Sequence, residues 1–483
     1  MLVNASFMFI STLARLLSGF ALFIVLARIW GVETFGTFMF PYVLSTFAVI
    51  SIDYGFGLQL VKDIAKSRNK TANIVAEALG SKILLSILVI IISFAITFIY
   101  QASLSFQILF WPLLIAAVLN SFGLFLGFPL RAHDRFRAET WTALIANFAL
   151  AALAGTLAFV GVGPFGVAIA FVIARLIFLI VAGITYKREL GMIQWKSVRF
   201  SGMLKILKTG FPFGVHLALG TLYLQVDTLI IQRFLGEHSL GLYQAGMRLL
   251  LGGMILAEVL NNVYLPLMSR IADKASELAD LGKNLTQNLL LLGSIGCIML
   301  SSGAPWIVEF IYGDEYSELN RLLPLFAIIL LLRYGGACWG LMLTVSDKQT
   351  LRMTAVFIAF LINILLNFIF IPRHGLVGAV TASIITHIIL NAVYMMFSRD
   401  PERGFGLSSR SLGLILASIC HISLTQYWLE KLEPTSYWVI SGILILIVGV
   451  IGIEPRYINN LRSRLQIQAK SNKMTHAVKN KQL

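Results

Sequence analysis

Long, continuously apolar stretches dominate this sequence and limit the folds that are open to it. A helix that crosses a bilayer needs about 20 mostly apolar residues, and the chain of 483 residues contains fourteen windows of roughly that length. Because these windows are continuously apolar rather than alternating, they predict helices and exclude a transmembrane β-barrel. The windows span residues 6–29, 37–60, 83–101, 108–130, 141–161, 165–186, 208–230, 241–264, 285–304, 322–344, 353–371, 376–397, 412–429 and 437–454.

The basic residues are distributed unequally between the two sets of connections that join these windows. The net charge is +15, yet only 13% of residues are charged, and the basic ones cluster after every second window rather than on one soluble surface. Connections on the cytoplasmic side of a membrane protein carry the excess of Lys and Arg. This pattern predicts a multi-pass membrane protein with both termini in the cytoplasm and no nucleic-acid partner. The opposite connections hold only Arg233, Arg321, Arg373 and Lys431.

The sequence contains no residue pattern that is typical of a catalytic, metal-binding or cofactor-binding site. The three cysteines, Cys297, Cys338 and Cys420, fall in or beside apolar windows at spacings that match no metal site or disulfide framework. The chain has no phosphate-binding loop in a soluble domain, and the longest outer connection, about 304–321, is short. We therefore expect no catalytic residue, no metal, no cofactor and no enzymatic activity.

Four short patterns recur in the same order about 205 to 213 residues apart. The first is an Arg followed by two Gly at fixed spacing, in LARIWGVETFG (26–36) and IQRFLGEHSLG (231–241). Such ordered self-similarity indicates duplication of a six-helix unit. The alternative is that each glycine pattern only marks a tight turn between neighbouring helices. That would explain a single match but not four matches in the same order. The other pairs are LVKDIA (60–65) with LMSRIA (267–272), Asp134-Arg135 with Asp347-Lys348, and GPFGVA (163–168) with GLVGAV (375–380).

The duplication gives the predicted fold class and organisation. We expect an all-α polytopic membrane protein of about 14 transmembrane helices, with two parallel six-helix lobes around a central cavity. The predicted units are residues 1–205 (helices 1–6), 206–411 (helices 7–12), 412–454 (helices 13 and 14) and a basic cytoplasmic tail, 455–483.

Three arginines inside the windows are candidate substrate-binding residues. An Arg at mid-bilayer depth costs about 2.5–3.5 kcal/mol on insertion scales, so it usually faces a cavity or a partner. Arg15 lies on one face of helix 1 with other polar residues, and Arg175 and Arg333 lie near the middle of helices 6 and 10. Guanidinium groups bind phosphate in bidentate geometry. We therefore predict that Arg15, Arg175 and Arg333 bind a phosphate or acidic-sugar head group.

Intramembrane acids are candidates for ion coupling. Asp227 in helix 7 and Arg248 in helix 8 lie at similar distances from the 231–240 connection, so the sequence predicts an ion pair between them. That pair could be purely structural. Alternatively, Asp227 or Glu258 could bind a proton or another cation and couple the protein to an ion gradient.

Four blocks of the sequence carry a resemblance to a known family. They are LARIWGVETFGTF (26–38), GFPFGVHLALGTLYLQVDTLIIQRFLGEHSLGLYQAGMRL (210–249), IYGDEY (311–316) and NFIFIPRHGLVGAVTASII (367–385). These blocks resemble the polysaccharide transporter family, the O-antigen flippases of the multidrug/oligosaccharidyl-lipid/polysaccharide exporter superfamily. The resemblance covers essentially the whole chain. Its most specific part is VDTLII…LGLYQA (226–245), which contains Asp227 alone among the site candidates.

The resemblance implies a function and its partners. A member of this family would move an undecaprenyl-pyrophosphate-linked oligosaccharide from the cytoplasmic to the periplasmic leaflet by alternating access, as a monomer among membrane lipids and other polysaccharide-assembly proteins. A cation-coupled antiporter for drugs or small solutes, from the same superfamily, is the main alternative. A membrane glycan polymerase or ligase is the alternative from another class, and the short outer connections count against it.

Overall fold

The described part of the chain is helical throughout. The computed structural model describes residues 2–195, 198–398, 408–428 and 441–449, and these residues contain no strand, so the predicted all-α class is confirmed. The helices are α1 (Leu2–Asp53), α2 (Phe56–Lys66), α3 (Thr71–Ile99), α4 (Leu104–Ala132), α5 (Phe136–Phe159), α6 (Pro164–Leu190), α7 (Phe200–Gly253), α8 (Ile255–Arg270), α9 (Ala275–Ser302), α10 (Ala304–Ile311), α11 (Leu319–Val345), α12 (Gln349–Ser398) and α13 (Ser409–Trp428), followed by helical residues 441–449.

Nine helical stretches within the described ranges are long and apolar enough to cross a bilayer, so the chain is a multi-pass membrane protein. Three of these stretches hold about 50 residues, and an α-helix of that length would measure about 75 Å, far more than a bilayer core of about 30 Å. Each of the three contains one glycine with non-helical backbone angles: Gly31 in α1, Gly236 in α7 and Gly375 in α12.

The three long helices fold back on themselves at these glycines. In α1 the rings of Phe23 and Tyr42 lie 4.9 Å apart, and in α7 Gln244 Nε2 donates a hydrogen bond of 2.7 Å to Thr228 Oγ1. Such contacts between residues 16 to 19 positions apart require two antiparallel arms. We refer to the arms by number: 2–30 and 32–53 in α1, 200–235 and 237–253 in α7, and 349–374 and 376–398 in α12.

The first twelve predicted windows each fall mainly on a different helical arm, but window 37–60 continues from α1 into α2 and window 241–264 continues from α7 into α8. Window 13 falls on α13, while window 14 is only partly described, as residues 441–449. Residues 429–440, 450–454 and the predicted tail 455–483 lie outside the described residues. The count of fourteen crossings thus stays a prediction.

Backbone conformation agrees at two pairs of positions that the sequence relates. Gly31 has φ 73° and ψ 177°, and Gly236 has φ 80° and ψ −170°. Asp134 and Asp347, which follow α4 and α11, both have left-handed φ values, 61° and 56°. Few non-glycine residues adopt that conformation. The agreement supports the predicted duplication, although the two-lobe organisation itself stays a prediction.

The second arm of α1 and α7 cross through a reciprocal pair of glycines. A Cβ atom added to Gly36 would collide with the carbonyl oxygen of Glu237, and one added to Gly241 would collide with the carbonyl oxygen of Val32. The offset of 205 residues relates Gly36 to Gly241 and Val32 to Glu237. The crossing is therefore isologous, as in a two-fold symmetric dimer.

A second close approach joins the same two helices near their other ends. Gly55, which precedes α2, packs against the backbone of Phe213 in the first arm of α7. Nearby, Gln59 Nε2 donates hydrogen bonds to Ile206 O at 3.0 Å and to Thr209 Oγ1 at 2.8 Å. The first six helices and α7 are thus held together at both ends of the α1–α7 contact.

The C-terminal helices pack against α9. The Ser302 hydroxyl lies 2.7 Å from His421 Nε2 of α13 and donates a hydrogen bond of 2.8 Å to Ser441. All three residues are buried. This polar contact fixes α13 and residues 441–449 beside residues 275–302.

The glycine crossing predicts a stability difference between two alanine substitutions. Gly36→Ala should lower the thermal unfolding midpoint of the full chain in nanodiscs, because the new methyl group forces α1 and α7 apart at a cost of about 1–3 kcal/mol. Gly220→Ala is the matched control, since that helical glycine has open space around it and alanine favours helix by up to about 1 kcal/mol. Equal midpoints for the two variants would contradict the close crossing.

Candidate functional site

A polar cavity of about 220 Å³ lies between the second arm of α1, helices α4 and α6, and the first arm of α7. Its position between the first six helices and α7 places it in the region where the sequence predicts a central cleft. Seven of its fourteen lining residues are polar, and the others are apolar, a combination that is common in ligand sites. These polar residues are Tyr42, Ser45, Thr46, Asp53, Asn120, Arg175 and Thr221.

Arg175 carries the positive charge of this cavity. It lies mid-way along α6, is half-buried, and forms no ion pair with any acid in the part of the chain that is described. Tyr42 also lines the cavity and interacts electrostatically with Arg175. A guanidinium without a carboxylate partner keeps its five donors available to an anionic ligand.

The other charge beside the cavity is already neutralised. Lys82 Nζ lies 2.9 Å from Asp53 Oδ1, and Ser121 bonds to both groups. The rings of Phe56, Phe122 and Phe125 surround the ammonium at 5.4–5.8 Å. Lys82 is 1% exposed, whereas 36% of the Asp53 side chain is accessible. The pair leaves Arg175 as the net charge of the cavity.

This location of Lys82 differs from the sequence interpretation. Lys82 lies between the windows 37–60 and 83–101, in a connection that the charge distribution assigns to the cytoplasmic side, whereas the structure buries it inside α3, which begins at Thr71. The helix starts twelve residues before the apolar window because its first three turns pack on protein rather than on lipid.

Asp227 lies at the centre of a separate buried cluster between α7 and α12. Its carboxylate accepts hydrogen bonds from Tyr243 Oη at 2.6 Å, Asn367 Nδ2 at 2.8 Å and Ser383 Oγ at 3.0 Å. All three donors are neutral, and Asp227 is only 4% exposed. The cluster therefore supplies three fixed donors to a carboxylate without a cationic side chain.

The predicted ion pair between Asp227 and Arg248 is not formed. Arg248 lies instead with its guanidinium carbon 4.1 Å from the ring centre of Phe23, and its buried Nε has no hydrogen-bond partner. The reason is depth along the two arms of α7. Asp227 is nine residues before Gly236, and its partner Tyr243 is seven residues after it. Arg248, twelve residues after the break, lies about 7.5 Å further along the arm.

Arg333 belongs to the same region as Asp227. It is half-buried in α11 and close enough to Tyr223 and His387 to interact with both electrostatically. The rings of those two residues are 5.5 Å apart. Like Arg175, Arg333 forms no ion pair with an acid of the described residues.

The remaining candidates lie apart from these contacts. The side chain of Arg15 lies outside the described residues, although its backbone belongs to the first arm of α1. Glu258 is exposed in the first turn of α8 and is not among the residues that hydrogen-bond to Asp227. The structure thus gives Arg175, Arg333 and Asp227 defined surroundings and does not bring Glu258 to Asp227.

Sequence reasoning missed several contacts around these sites. Tyr243 could have been found by pairing positions at equal distance from Gly236, once that glycine is taken as the point of reversal. No pattern in the sequence indicates that the other two donors, Asn367 and Ser383, contact Asp227. The sequence does not indicate that Asn120 lines the Arg175 cavity, because a single Asn in an apolar helix commonly forms a hydrogen bond between helices.

The chain matches a known family over more than half its length. The profile of the family described as "Polysaccharide biosynthesis protein" matches residues 1–272. The capsular polysaccharide biosynthesis protein CapF of Staphylococcus aureus is 22% identical over 191 residues, which are 39% of this chain and 48% of that protein. A putative O-antigen transporter of Escherichia coli (strain K12) is 23% identical over 388 residues, 78% of this chain and 91% of the relative.

Solved structures share the fold. The lipid II flippase MurJ in an inward closed conformation superposes with a TM-score of 0.71 at 17% identity, over 93% of this chain and 98% of MurJ. An inward-facing multidrug resistance transporter of the MATE family superposes with a TM-score of 0.67 at 14% identity, over 80% of this chain and 94% of the transporter. The chain belongs to the polysaccharide biosynthesis protein family.

Proposed function

We propose that this chain is a flippase for a lipid-linked oligosaccharide. It moves an undecaprenyl-pyrophosphate-linked repeat unit of O-antigen or a similar surface polysaccharide from the cytoplasmic to the periplasmic leaflet of a bacterial inner membrane. The relative named as an O-antigen transporter supports this substrate class, and the lipid II flippase supports a fold suited to it. The excess of basic residues on one side supports cytoplasmic termini.

The observation that carries the proposal is the Arg175 cavity. A guanidinium at this depth is costly unless it faces water or an anion, and no acid of the described residues pairs with it. A pyrophosphate offers the planar pairs of oxygens that a guanidinium binds best. Asn120 and Thr46 add neutral hydrogen-bonding groups to the same wall, which suit a sugar.

The two predicted lobes support transport by alternating access. Arg175 belongs to residues 1–205 and lines the cavity, whereas Arg333 belongs to residues 206–411 and lies outside that lining. In the proposed cycle, movement of the lobes brings the two guanidinium groups to one anion. Arg15, in helix 1, completes the proposed set of substrate-binding arginines. Rocking of one lobe against the other would then open the cavity to one side of the membrane at a time.

Asp227 is the proposed coupling residue. A carboxylate that accepts three hydrogen bonds from neutral donors and has no cationic partner can gain a proton or a cation as the lobes move. Its donors come from both arms of α12 and from the second arm of α7. A change in the relation of α7 to α12 would therefore change its affinity. Glu258 is the second candidate, on the exposed face of α8.

Loss of the arginines tests substrate binding. Arg175→Ala and Arg333→Ala should each lower surface glycan in the native host at least tenfold, because a lost hydrogen-bonded charge contact costs roughly 1.5–3 kcal/mol. The measurement is surface glycan per cell, normalised to the amount of the protein in the membrane.

Arg68→Ala is the matched control for those two variants. Arg68 is half-exposed and pairs with Asp134 at 2.8 Å, outside the apolar spans, so its removal should leave surface glycan unchanged. Normal glycan in the Arg175→Ala/Arg333→Ala double variant would refute a substrate role for both residues. Resistance to drugs lost without any change in glycan would favour the antiporter.

Neutralising Asp227 tests ion coupling. In vesicles that contain the full chain, Asp227→Asn should remove the dependence of flipping on an imposed proton or sodium gradient, because the amide cannot gain or lose a charge. Glu258→Gln separates the two acids in the same assay. If flipping by the Asp227→Asn protein still responds to the gradient as the unsubstituted protein does, Asp227 is a structural residue.

A further inference from the structure

The second arm of α1 separates two spaces of opposite character. One face of this arm lines the polar cavity with Tyr42, Ser45, Thr46, Val49, Ile50 and Asp53. The other face, with residues spaced by about one helical turn, lines a larger apolar groove with Phe40, Leu44, Phe47, Ala48 and Ser51. A single helix thickness therefore divides a charged compartment from a hydrophobic one.

The apolar groove has a volume of about 640 Å³ and opens toward lipid. Its other walls are the last third of α3, the start of α4, and two residues of α7. Ile92 and Ile96 of α3 line the groove and are 46% and 50% exposed, so its mouth lies on the outer, apolar surface of the helix bundle. Glu237, the one charged residue in the lining, accepts a hydrogen bond from Thr37.

Both spaces border the contact between α1 and α7. Helix α7 contributes Leu217 and Thr221 to the cavity and Gln232 and Glu237 to the groove. The close glycine contacts lie at the two ends of this stretch, Gly36 against Glu237 and Gly55 against Phe213. We call the contact between the second arm of α1 and the first arm of α7 the α1–α7 seam. The two helices approach closely at both of its ends, and one space lies on each side of it.

We propose that the groove holds the polyprenyl chain of the lipid-linked substrate while the head group occupies the cavity, with the linkage between them passing through the α1–α7 seam. The proposal rests on the proposed function and adds the location of the chain and of the lateral opening. The groove volume lies in the range of sites that bury drug-sized ligands. It therefore holds a segment of the chain, and the rest stays in the bilayer.

The occupant follows from the surroundings of the groove. Its mouth faces the lipid phase, so whatever fills it comes from the bilayer, and its lining offers methyl groups and rings rather than charges. A phospholipid chain could enter the groove, but its head group would remain at the membrane surface. Only an amphiphile with an anionic head in the Arg175 cavity uses both spaces at once.

The groove contributes position rather than affinity. A chain that moves from lipid into an apolar groove gains little free energy, because the bilayer is as apolar as the protein. Holding the chain on one side of α1 and the head on the other instead aligns the linkage with the seam. Variants that fill the groove should therefore slow transport without weakening head-group binding.

Photocrosslinking tests where the chain lies. The full chain carries benzoylphenylalanine in place of Ile92, in vesicles of phosphatidylethanolamine and phosphatidylglycerol that contain radiolabelled undecaprenyl diphosphate. The matched control is the same probe in place of Ile173 of α6, which is also 46% exposed and lies outside both spaces. We expect labelling at position 92, displaced by unlabelled undecaprenyl diphosphate, and much less labelling at position 173. Equal labelling at both positions, or labelling by phospholipid alone, would overturn the proposal.

A pair of substitutions in α3 tests the consequence for transport. Ser93→Phe fills the groove and should slow flipping about tenfold, which corresponds to about 1.4 kcal/mol in the barrier to transport. Ala95→Phe places the same ring on the exposed face two residues away and should leave the rate unchanged. Arg175→Ala separates the two hypotheses. If that variant abolishes export while Ser93→Phe has no effect and position 92 is not labelled, the flippase function stands and the chain location fails.

Discussion

The close crossing of α1 and α7 is the constraint on which the rest of the structure depends. Two backbones approach there because neither Gly36 nor Gly241 has a side chain, and each glycine lies against a carbonyl group of the other helix. The crossing sets the separation between the first six helices and α7, and therefore the width of the polar cavity beside it. The contact is also reciprocal, since equivalent residues of the two helices exchange roles, as the predicted duplication would require.

Charge inside the bilayer is handled in three different ways in this protein. Lys82 is neutralised by Asp53, Asp227 is satisfied by neutral donors, and Arg248 rests on the ring of Phe23. Within the described residues, neither Arg175 nor Arg333 has such an ion pair, set of hydrogen bonds or aromatic ring contact. The contrast argues that the fold tolerates their cost for a purpose other than stability, since a structural arginine would be expected to have a fixed partner.

The sequence predicted the helices and the points where they reverse far better than it predicted contacts between side chains. Continuous apolar windows locate helices because a segment that crosses a bilayer must be apolar and helical. Gly31 and Gly236 are identifiable because the same short sequence pattern occurs at both places. The position of each side chain along the helix axis was harder to predict. Counting from the ends of windows brought Asp227 opposite Arg248, whereas counting from the glycine break brings it opposite Tyr243. Lys82 was misplaced because a helix can begin well before its apolar part when its first turns pack on protein.

The burial of Lys82 against Asp53 has a consequence for selectivity. Alone, Asp53 would put a negative charge in the same cavity as Arg175, and the two would form a dipolar surface that attracts neutral and zwitterionic molecules as readily as anions. With the ammonium fixed behind it among three aromatic rings, the carboxylate still accepts hydrogen bonds but adds little field of its own. The buried Lys82 thus determines the sign of the electrostatic potential in the cavity. A neutral molecule would gain no electrostatic free energy by entering it.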